Sequence, residues 1–336
     1  MNKKILSILK YLVLLGIAFG LLSLAFKGVD LRKIAAEISG ANLYWLAASI
    51  AVSLIAFASR AYRWNILIEP LGYKPSFMNT TYSLMIGYLA NLALPRLGEV
   101  TRCASLSKAE KLPFNRLLGT VIVERVVDVI SLLICLVLTA VIEYNRLGNF
   151  LMDSIVTPLS EKVTPLFITL AVAGIILLTG IIFWAMKKKD STGMSKIVHL
   201  VTGLIDGLRS IGQLKRPWAF VAHTLLIWTM YFFMAYLAFF SLPVTSNLSW
   251  SAGMFILVVG GFGMAAPVQG GIGAYHLLVS QGLILYGLSP QDGLAFATLL
   301  HSSQLLVVIF FGAISFLLLF LATKDMPDEY VGENQN

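Results

Sequence analysis

Charged and polar side chains collect around a Pro–Gly break in one apolar stretch and in the apolar stretch that follows it. The group comprises Asn91, Pro95, Arg96, Glu99 and Arg102 around the break, with Glu124, Arg125 and Asp128 downstream. Charges inside long apolar segments are rare and mark functional sites. Arg96 and Arg102 lie near the start of the returning helix, where unpaired N–H groups and the helix dipole favour an anion. Because guanidinium groups bind phosphate through paired hydrogen bonds, this group predicts a phosphate-binding site.

The three carboxylates of this group leave two interpretations open. Glu99 must pair with an arginine, bind a cation or carry a proton. Glu124 and Asp128 are four residues apart and share a helix face, while Arg125 lies three residues from Asp128. The carboxylates either orient the arginines of a substrate site or couple it to protons. Alternatively, an internal ion-pair network locks the helices together and consists of Glu99, Arg102, Glu124, Arg125 and Asp128.

A second polar group surrounds a glycine-rich break later in the chain. It comprises Gln269, Gly270, Gly271, Gly273, Tyr275 and His276 at the break, followed by His301 in the last apolar segment. The glycines predict a matching phosphate cradle, and close packing of helices is the alternative explanation. The two histidines either relay protons or are hydrogen-bonded in a polar core. Two histidines without a placed carboxylate or cysteine are a poor metal site, and no cofactor-binding motif occurs, so neither a metal nor a cofactor is predicted.

The composition indicates that membrane-spanning helices position both groups. The chain has 336 residues, of which 58% are hydrophobic and only 12% are charged, and its mean hydropathy is +0.83. No polar stretch approaches the roughly 50 residues that a small domain needs, which excludes a sizeable extramembrane catalytic domain. Only two cysteines are present, so a disulfide framework is excluded as well. We therefore predict an all-α polytopic membrane protein.

Six apolar segments are long enough to cross a membrane, because a span needs about 20 apolar residues. They cover residues 5–26, 43–59, 117–142, 165–186, 218–241 and 294–322. The second is followed by Arg60 and by Arg63 and Trp64, which are typical of the headgroup level.

Two further apolar segments, residues 77–111 and 251–286, are broken midway at residues 95–98 and 267–273. Broken backbone at membrane depth must be buried in protein or line a cavity, so both segments are predicted to be re-entrant hairpins. Counted as spans instead, they give eight segments in total.

The charges indicate an orientation. Most of the 25 lysines and arginines lie in the connectors of one side, which the positive-inside rule assigns to the cytoplasm. Both termini are then cytoplasmic, and the two hairpins enter from opposite sides. Residues 86–98 resemble residues 259–270, so an inverted repeat is possible, with chance similarity as the alternative. Paired, interrupted segments of this kind point to the substrate site of a transporter.

The remaining segments complete the predicted organisation. A transmembrane domain covers residues 1–323, and residues 324–336 form a short acidic cytoplasmic tail. Within the domain, residues 187–216 open with three lysines and continue with apolar residues at helical spacing. This pattern predicts a cytoplasmic loop with an interfacial amphipathic helix.

The motifs resemble those of the lysylphosphatidylglycerol synthase transmembrane-region family, also called the flippase-like domain family. The resemblance rests on residues 91–102, on Glu124 and Arg125 with Asp128, and on residues 267–273, and it extends over residues 5–322. It implies a membrane protein that moves lipids between leaflets, without the soluble aminoacyl-transferase domain of the two-part members. The chain differs from the family pattern at three positions, where Pro, Glu and Arg are usual: Gln269, His276 and His301.

The resemblance and the charged residues together predict a non-enzymatic protein of the cytoplasmic membrane. Its expected partner is an anionic phospholipid or a polyprenyl-phosphate-linked lipid, translocated between leaflets, and no nucleic acid is expected. One alternative is a scaffold that anchors an envelope-lipid synthesis complex through residues 187–216. Another is a membrane enzyme acting on a lipid phosphate, with Glu99 or His276 as general base. The oligomeric state is left open.

Overall fold

The computed structural model describes residues 3–28, 30–151 and 214–324, and every regular element in these ranges is helical. The helices are α1 (Lys3–Ala25), α2 (Leu31–Ser39), α3 (Leu43–Ile68), α4 (Phe77–Ala93), α5 (Gly98–Glu110), α6 (Phe114–Ile142), α7 (Tyr144–Leu151), α8 (Pro217–Phe239), α9 (Trp250–Ala265), α10 (Ala274–Ile284) and α11 (Pro290–Thr323). Short 3₁₀ turns at Glu69–Leu71 and Gln269–Gly271 follow α3 and precede α10. The predicted span at 165–186, nearly all of the 187–216 loop and the tail after Lys324 lie outside the described residues.

The described helices confirm a polytopic all-α membrane protein. Four of them are long and apolar enough to cross a membrane: α6, α8, α11, and α3 with its 3₁₀ extension. Shorter apolar helices cover Leu15–Ala25 and Trp250–Ala265. Large apolar side chains such as Val137 on α6 and Phe310 on α11 are exposed, whereas charged side chains such as Glu124 are fully buried. An apolar surface with charged side chains buried inside the protein is typical of a protein surrounded by lipid.

Both broken apolar segments are helical hairpins, with breaks where the sequence predicts them. Hairpin 1 consists of α4 and α5, and hairpin 2 consists of α9 and α10. In the first break Pro95 has no N–H group to continue α4, and Arg96 has a left-handed backbone with φ of 63°. The Asn91 side-chain oxygen then accepts a hydrogen bond of 2.7 Å from the Gly98 N–H, which caps the start of α5.

The two halves of each hairpin approach closely at a glycine. A Cβ atom on Gly87 of α4 would lie 2.9 Å from the Arg102 Cβ atom on α5. A Cβ atom on Gly260 of α9 would likewise lie 2.9 Å from the Tyr275 ring on α10. Small residues permit this approach because they add no side chain between the helices. Gly87 and Gly260 occupy matching positions in the two similar sequences, so the hairpins share a packing pattern as well.

The long helices that precede the hairpins, α3 and α8, run antiparallel along their whole length. At one end the Asn42 N–H group donates to the Ser241 carbonyl at 2.8 Å. At the other end Arg216 pairs with Glu69 at 2.7 Å. Hairpin 1 follows the Glu69 end and hairpin 2 follows the Ser241 end. The hairpins are therefore based at opposite ends of the molecule.

The tips of the hairpins meet inside the protein. A Cβ atom on Gly270, in the break of hairpin 2, would lie 2.8 Å from the Leu92 side chain near the tip of hairpin 1. The helix that follows each hairpin packs against that hairpin and also against the other one, since α11 contacts both α10 and α4, and α6 contacts both α5 and α9.

Each hairpin is embedded in an apolar core of its own. The core at hairpin 1 includes Trp64, Leu106 and Phe220, and the core at hairpin 2 includes Phe239 and Phe296. Apolar packing therefore fixes the helices that carry the charged residues.

Candidate functional site

Seven charged side chains from α3, α5 and α6 form one connected group beside the core of hairpin 1. We call it the charge cluster, and its members are Arg60, Arg63, Glu99, Arg102, Glu124, Arg125 and Asp128. Four guanidinium groups face three carboxylates, so the cluster carries one positive charge in excess. The structure thus brings together five of the predicted site residues and adds two arginines from α3.

Arg60, Arg63 and Trp64 are buried inside the protein, whereas the end of the apolar run predicts a cluster exposed to lipid headgroups. The apolar run ends at Ser59, but α3 continues to Ile68. These three residues are at most 6% exposed. The arginines are three residues apart and therefore share a helix face, which is turned towards α6.

Arg60 and Arg63 hold the two carboxylates of α6. A terminal nitrogen of Arg60 lies 2.6 Å from a Glu124 oxygen and 2.9 Å from an Asp128 oxygen. Arg63 lies 2.6 Å from the other Asp128 oxygen. Both arginines also donate to hydroxyl groups of α8, at 3.1 and 3.3 Å. Charge-assisted bonds this short are strong, and losing one partner leaves an uncompensated buried charge.

Arg102 joins hairpin 1 to one of these carboxylates, Glu124. Its guanidinium group lies 3.1 Å from the second Glu124 oxygen and 4.6 Å from the centroid of the Trp64 ring. Trp64 in turn donates its ring N–H to the Thr120 hydroxyl at 2.8 Å. The ion pair and the cation–π contact therefore position α5 against both α3 and α6.

Arg125 has the weakest contacts of the four arginines. Its nitrogens lie 3.5, 3.6 and 4.0 Å from oxygens of Glu99, Asp128 and Glu124, at or beyond the limit of a hydrogen bond. Its side chain is 40% exposed, and that of Glu99 is 28% exposed. Of the roles open to Glu99, the structure shows pairing with an arginine. The Arg125–Glu99 pair forms the open edge of the charge cluster.

The chemistry of the charge cluster favours holding an anion. Its excess positive charge lies among apolar helices, where electrostatic attraction is less screened than in water. Within the described ranges, no three His, Cys, Asp or Glu side chains are placed to hold a metal ion.

Asn91 and Arg96 lie apart from the charge cluster. The side-chain oxygen of Asn91 is occupied by the Gly98 N–H at the start of α5. Arg96 is exposed at the tip of hairpin 1. Of the residues predicted around the first break, Glu99 and Arg102 thus belong to the charge cluster. Asn91 instead caps α5, and Arg96 lies beside the cluster.

The later polar residues form a histidine cluster of Tyr275, His276 and His301 at the tip of hairpin 2. The Tyr275 ring stacks on His301 with 4.8 Å between centroids, and His276 meets His301 edge to face at 4.9 Å. The His301 Nε2 atom lies 2.9 Å from the Gly270 carbonyl oxygen. The Gly273 N–H group donates to His276 Nδ1 at 3.4 Å. Both histidines are therefore hydrogen-bonded to the backbone of the hairpin tip.

The glycines at this tip pack against neighbouring protein. A Cβ atom on Gly271 would lie 2.7 Å from the Met264 sulfur, and one on Gly273 would lie 2.7 Å from the backbone nitrogen of Leu22 in α1. Both glycines have positive φ, 76° and 83°, which other residues rarely adopt. Close packing thus accounts for these glycines without a phosphate cradle.

The predicted site residues separate into two clusters. Within the described part of the chain, no hydrogen bond or ion pair joins the charge cluster to the histidine cluster. Gln269 lies beside the histidine cluster, is 9% exposed, and has a side-chain oxygen without a described partner.

Sequence reasoning missed Arg60 and Arg63 because the hydropathy of the second span falls at the first arginine. A signal was nevertheless present. The two arginines recur at helical spacing, as Glu124 and Asp128 do in the later span. Carboxylates buried in an apolar helix need cationic partners. Arg102 and Arg125 do not exclude further partners, so arginines elsewhere in the chain were candidates.

A bundle of apolar helices around two opposed helical hairpins, with a charge cluster inside, defines a polytopic membrane protein of the all-α class. The profile of the family described as "Lysylphosphatidylglycerol synthase TM region" matches residues 8–312 of this chain. The chain belongs to this family, which confirms the resemblance of its motifs.

Two curated proteins are similar to the chain. UPF0104 membrane protein MJ1595 of Methanocaldococcus jannaschii is 29% identical over 120 residues, which covers 35% of each chain. Glycosyltransferase AglD of Haloferax volcanii is 22% identical over 334 residues, which covers 90% of this chain and 53% of the relative. The chain thus spans about a third and about half of the length of these relatives. No solved structure matches it significantly.

Proposed function

We propose that the protein moves an anionic lipid or a lipid-linked intermediate between the leaflets of the cell membrane, with Arg125 binding the lipid phosphate. The observation that carries this proposal is the weak engagement of Arg125. Its contacts with the carboxylates of the charge cluster are all 3.5 Å or longer, and its side chain is 40% exposed. A phosphate that displaces Glu99 would gain paired hydrogen bonds from this guanidinium group. It would also neutralise the excess positive charge of the cluster.

The other three arginines support this site indirectly. Their side chains are at most 7% exposed, and each contacts a carboxylate of α6 at 3.1 Å or less: Arg60, Arg63 and Arg102. They hold the carboxylates that flank Arg125. The two interpretations of the cluster therefore apply to different residues. The buried arginines form the ion-pair network that locks the helices, and Arg125 at the open edge forms the ligand site.

The hairpins are re-entrant in this proposal, and their tips meet near the middle of the membrane. Support comes from their opposed bases and from the contact between Gly270 and Leu92 at the tips. Irregular backbone at membrane depth is tolerated only where it is buried in protein or lines a wet cavity. In transporters built from inverted repeats, the substrate site lies at such a junction. The headgroup would pass along the hairpins while the acyl chains remain in the bilayer.

The orientation and the cargo belong to the same proposal. The end of the molecule that carries Glu69 also exposes Lys74, Lys215 and Arg216, which supports a cytoplasmic position for that end and for both termini. The cargo is an anionic phospholipid or a polyprenyl-phosphate-linked lipid. One relative carries the name of a glycosyltransferase, which favours including polyprenyl-phosphate probes among the cargo tested.

A leaflet-exchange assay in proteoliposomes tests this function. Fluorescent phosphatidylglycerol, phosphatidylcholine and polyprenyl-phosphate probes are reconstituted, and quenching from outside reports the rate at which inner-leaflet probe emerges. We expect at least one anionic probe to exchange faster than phosphatidylcholine and faster than in protein-free vesicles. Exchange at the protein-free rate for every anionic probe would contradict the proposal. A covalently altered lipid in the same vesicles would instead favour the enzyme alternative.

A further inference from the structure

Four buried polar atoms near the meeting point of the hairpin tips have no hydrogen-bond partner among the described residues. We call their residues the polar stripe: Gln269 (Oε1), Thr298 (Oγ1), His301 (Nδ1) and Gln304 (Nε2). His301 is 2% exposed and Gln269 is 9% exposed. Buried polar groups in folded proteins almost always have a partner, so these four atoms require hydrogen-bonding groups from water or from a ligand.

The polar stripe occupies one place in the fold. Thr298, His301 and Gln304 follow one another at three-residue spacing and therefore share a face of α11. His301 Nε2 lies 2.9 Å from the carbonyl oxygen of Gly270, the neighbour of Gln269. Gly270 in turn faces Leu92 of hairpin 1. Gln269 and His301 thus lie where the two hairpin tips meet, and Thr298 and Gln304 lie three residues to either side of His301 on α11.

The unpartnered atoms form a neutral set of donors and acceptors. The Gln269 oxygen accepts, the Gln304 nitrogen donates, and the Thr298 hydroxyl does both. His301 directs Nε2 at a carbonyl oxygen, so its Nδ1 atom is an acceptor in the neutral ring. Phosphate oxygens accept but do not donate, and they match only part of this set. Hydroxyl groups donate and accept, and they match all of it.

We propose that the polar stripe binds hydroxyl groups of a polyol or glycosyl headgroup whose phosphate is bound at the charge cluster. This inference rests on the proposed function and specifies its cargo as a hydroxyl-bearing anionic lipid. The helix that carries the stripe, α11, packs against both α4 and α5 of hairpin 1. Because α5 also carries Arg102, the stripe and the charge cluster flank the same hairpin.

Competition between two lipids of equal charge tests the stripe directly. Phosphatidylglycerol and phosphatidylpropanol carry the same phosphate, but only the first has hydroxyl groups in its headgroup. Native mass spectrometry of the full chain in detergent, with both lipids present, reports their relative occupancy. We expect about fivefold preference for phosphatidylglycerol, the effect of roughly one net hydrogen bond.

Substitutions that keep side-chain shape assign this preference to the stripe. Thr298→Val with Gln304→Met removes two of the polar groups, and we expect it to reduce the preference to about one without lowering total lipid occupancy. Gln304→Met alone is the second variant if the pair fails to fold. Thr323→Val on the same helix is the control, because the Thr323 hydroxyl is already bonded to the Leu319 carbonyl at 2.9 Å.

The outcomes separate this inference from the proposed function. Equal occupancy of the two lipids in the wild type, or a preference that survives in the stripe variants, would overturn the stripe as a hydroxyl site and leave water as its occupant. Arg125→Gln is expected to lower the occupancy of both lipids by the same factor, and unchanged occupancy there would count against the proposed function instead. Failure to bind either lipid would overturn the stripe as a site for a phospholipid headgroup and, with it, the phospholipid form of the proposed function.

Discussion

Arg63 has no exposed side-chain surface and lies 2.6 Å from an Asp128 oxygen, whereas Arg125 is 40% exposed and no nearer than 3.5 Å to a carboxylate. The two arginines have the same side chain, but their surroundings differ, so Arg63 has a structural role and Arg125 is available to a ligand. Removing the first exposes a buried carboxylate to an apolar interior, and removing the second leaves the buried pairs intact.

Arg63→Gln is therefore expected to destabilise the fold by about 3–5 kcal/mol, because it leaves Asp128 without its closest charged partner. The measurement is thermal unfolding of the purified protein in detergent. Arg216→Gln is the control, since Arg216 also pairs with a carboxylate but its side chain is 46% exposed. An exposed pair contributes little, so this control is expected to unfold near the wild-type temperature. Equal losses in the two variants would show that burial does not set the strength of these pairs.

Single residues also mark the limit of prediction from sequence. Glu124, Arg125 and Asp128 were recognisable because charges interrupt an apolar run. Arg60 and Arg63 follow an apolar run, where arginine is ordinary at a membrane surface. Only the packing of α3 against α6 shows that these two arginines are buried.

Hairpin 1 depends on close contact between its two halves. A Cβ atom on Gly87 would lie 2.8 Å from the Gly98 carbonyl oxygen and 2.9 Å from the Arg102 Cβ atom. Any side chain at this position pushes α5, and Arg102 with it, away from α4. A small increase in side-chain volume within hairpin 1 therefore displaces Arg102 and alters the charge cluster.

Gly87→Ala is expected to cost about 1–3 kcal/mol through overpacking and to slow leaflet exchange. Gly119→Ala is the matched control within α6, because nothing lies within 4 Å of the atom it adds. That control is expected to be neutral or slightly stabilising, as alanine favours helix more than glycine does. Unfolding temperature and exchange rate are measured for both variants. A Gly87→Ala protein as stable and active as Gly119→Ala would contradict the packing of this hairpin.

The breaks of the hairpins followed from Pro and Gly, which act locally and are visible in sequence. The C-terminal end of α3 could not be predicted in this way, because a hydropathy pattern places the end of an apolar helix at its first polar residues. The helix extends to Ile68 since its polar side chains find buried partners on α6 and α8. The end of such a helix depends on contacts with residues that are distant in sequence, and hydropathy does not predict these contacts.

The whole molecule is organised by two hairpins with opposed bases and touching tips. Their opposition was predicted from the distribution of Lys and Arg, and the antiparallel pairing of α3 and α8 agrees with it. The packing of each following helix against the opposite hairpin, α11 against α4 and α6 against α9, had no counterpart in the sequence. It depends on which surfaces pack together after the helices have formed.

Cysteine labelling tests this organisation in intact membranes. In a background without Cys103 and Cys135, Lys74→Cys marks the base of hairpin 1 and Asn247→Cys marks the base of hairpin 2. Both positions are exposed. We expect a membrane-impermeant maleimide to reach Asn247→Cys from outside intact cells, and to reach Lys74→Cys only after the membrane is opened. Labelling of both positions from the same side would exclude opposed hairpins.

The central claim is that Arg125, at the open edge of the charge cluster, binds the phosphate of a lipid that the protein moves. The most direct measurement compares leaflet exchange by Arg125→Gln with that by Arg146→Gln. The two arginines are matched, since their side chains are 40% and 45% exposed and each pairs with a carboxylate three residues away. Arg146 lies outside the charge cluster.

We predict that Arg146→Gln exchanges the anionic probe near the wild-type rate, while Arg125→Gln loses at least about tenfold, the effect of roughly 1.4 kcal/mol. Both proteins should unfold at similar temperatures. Equal exchange by the two variants, with wild-type activity well above the protein-free rate, would contradict the assignment of Arg125 to the lipid phosphate.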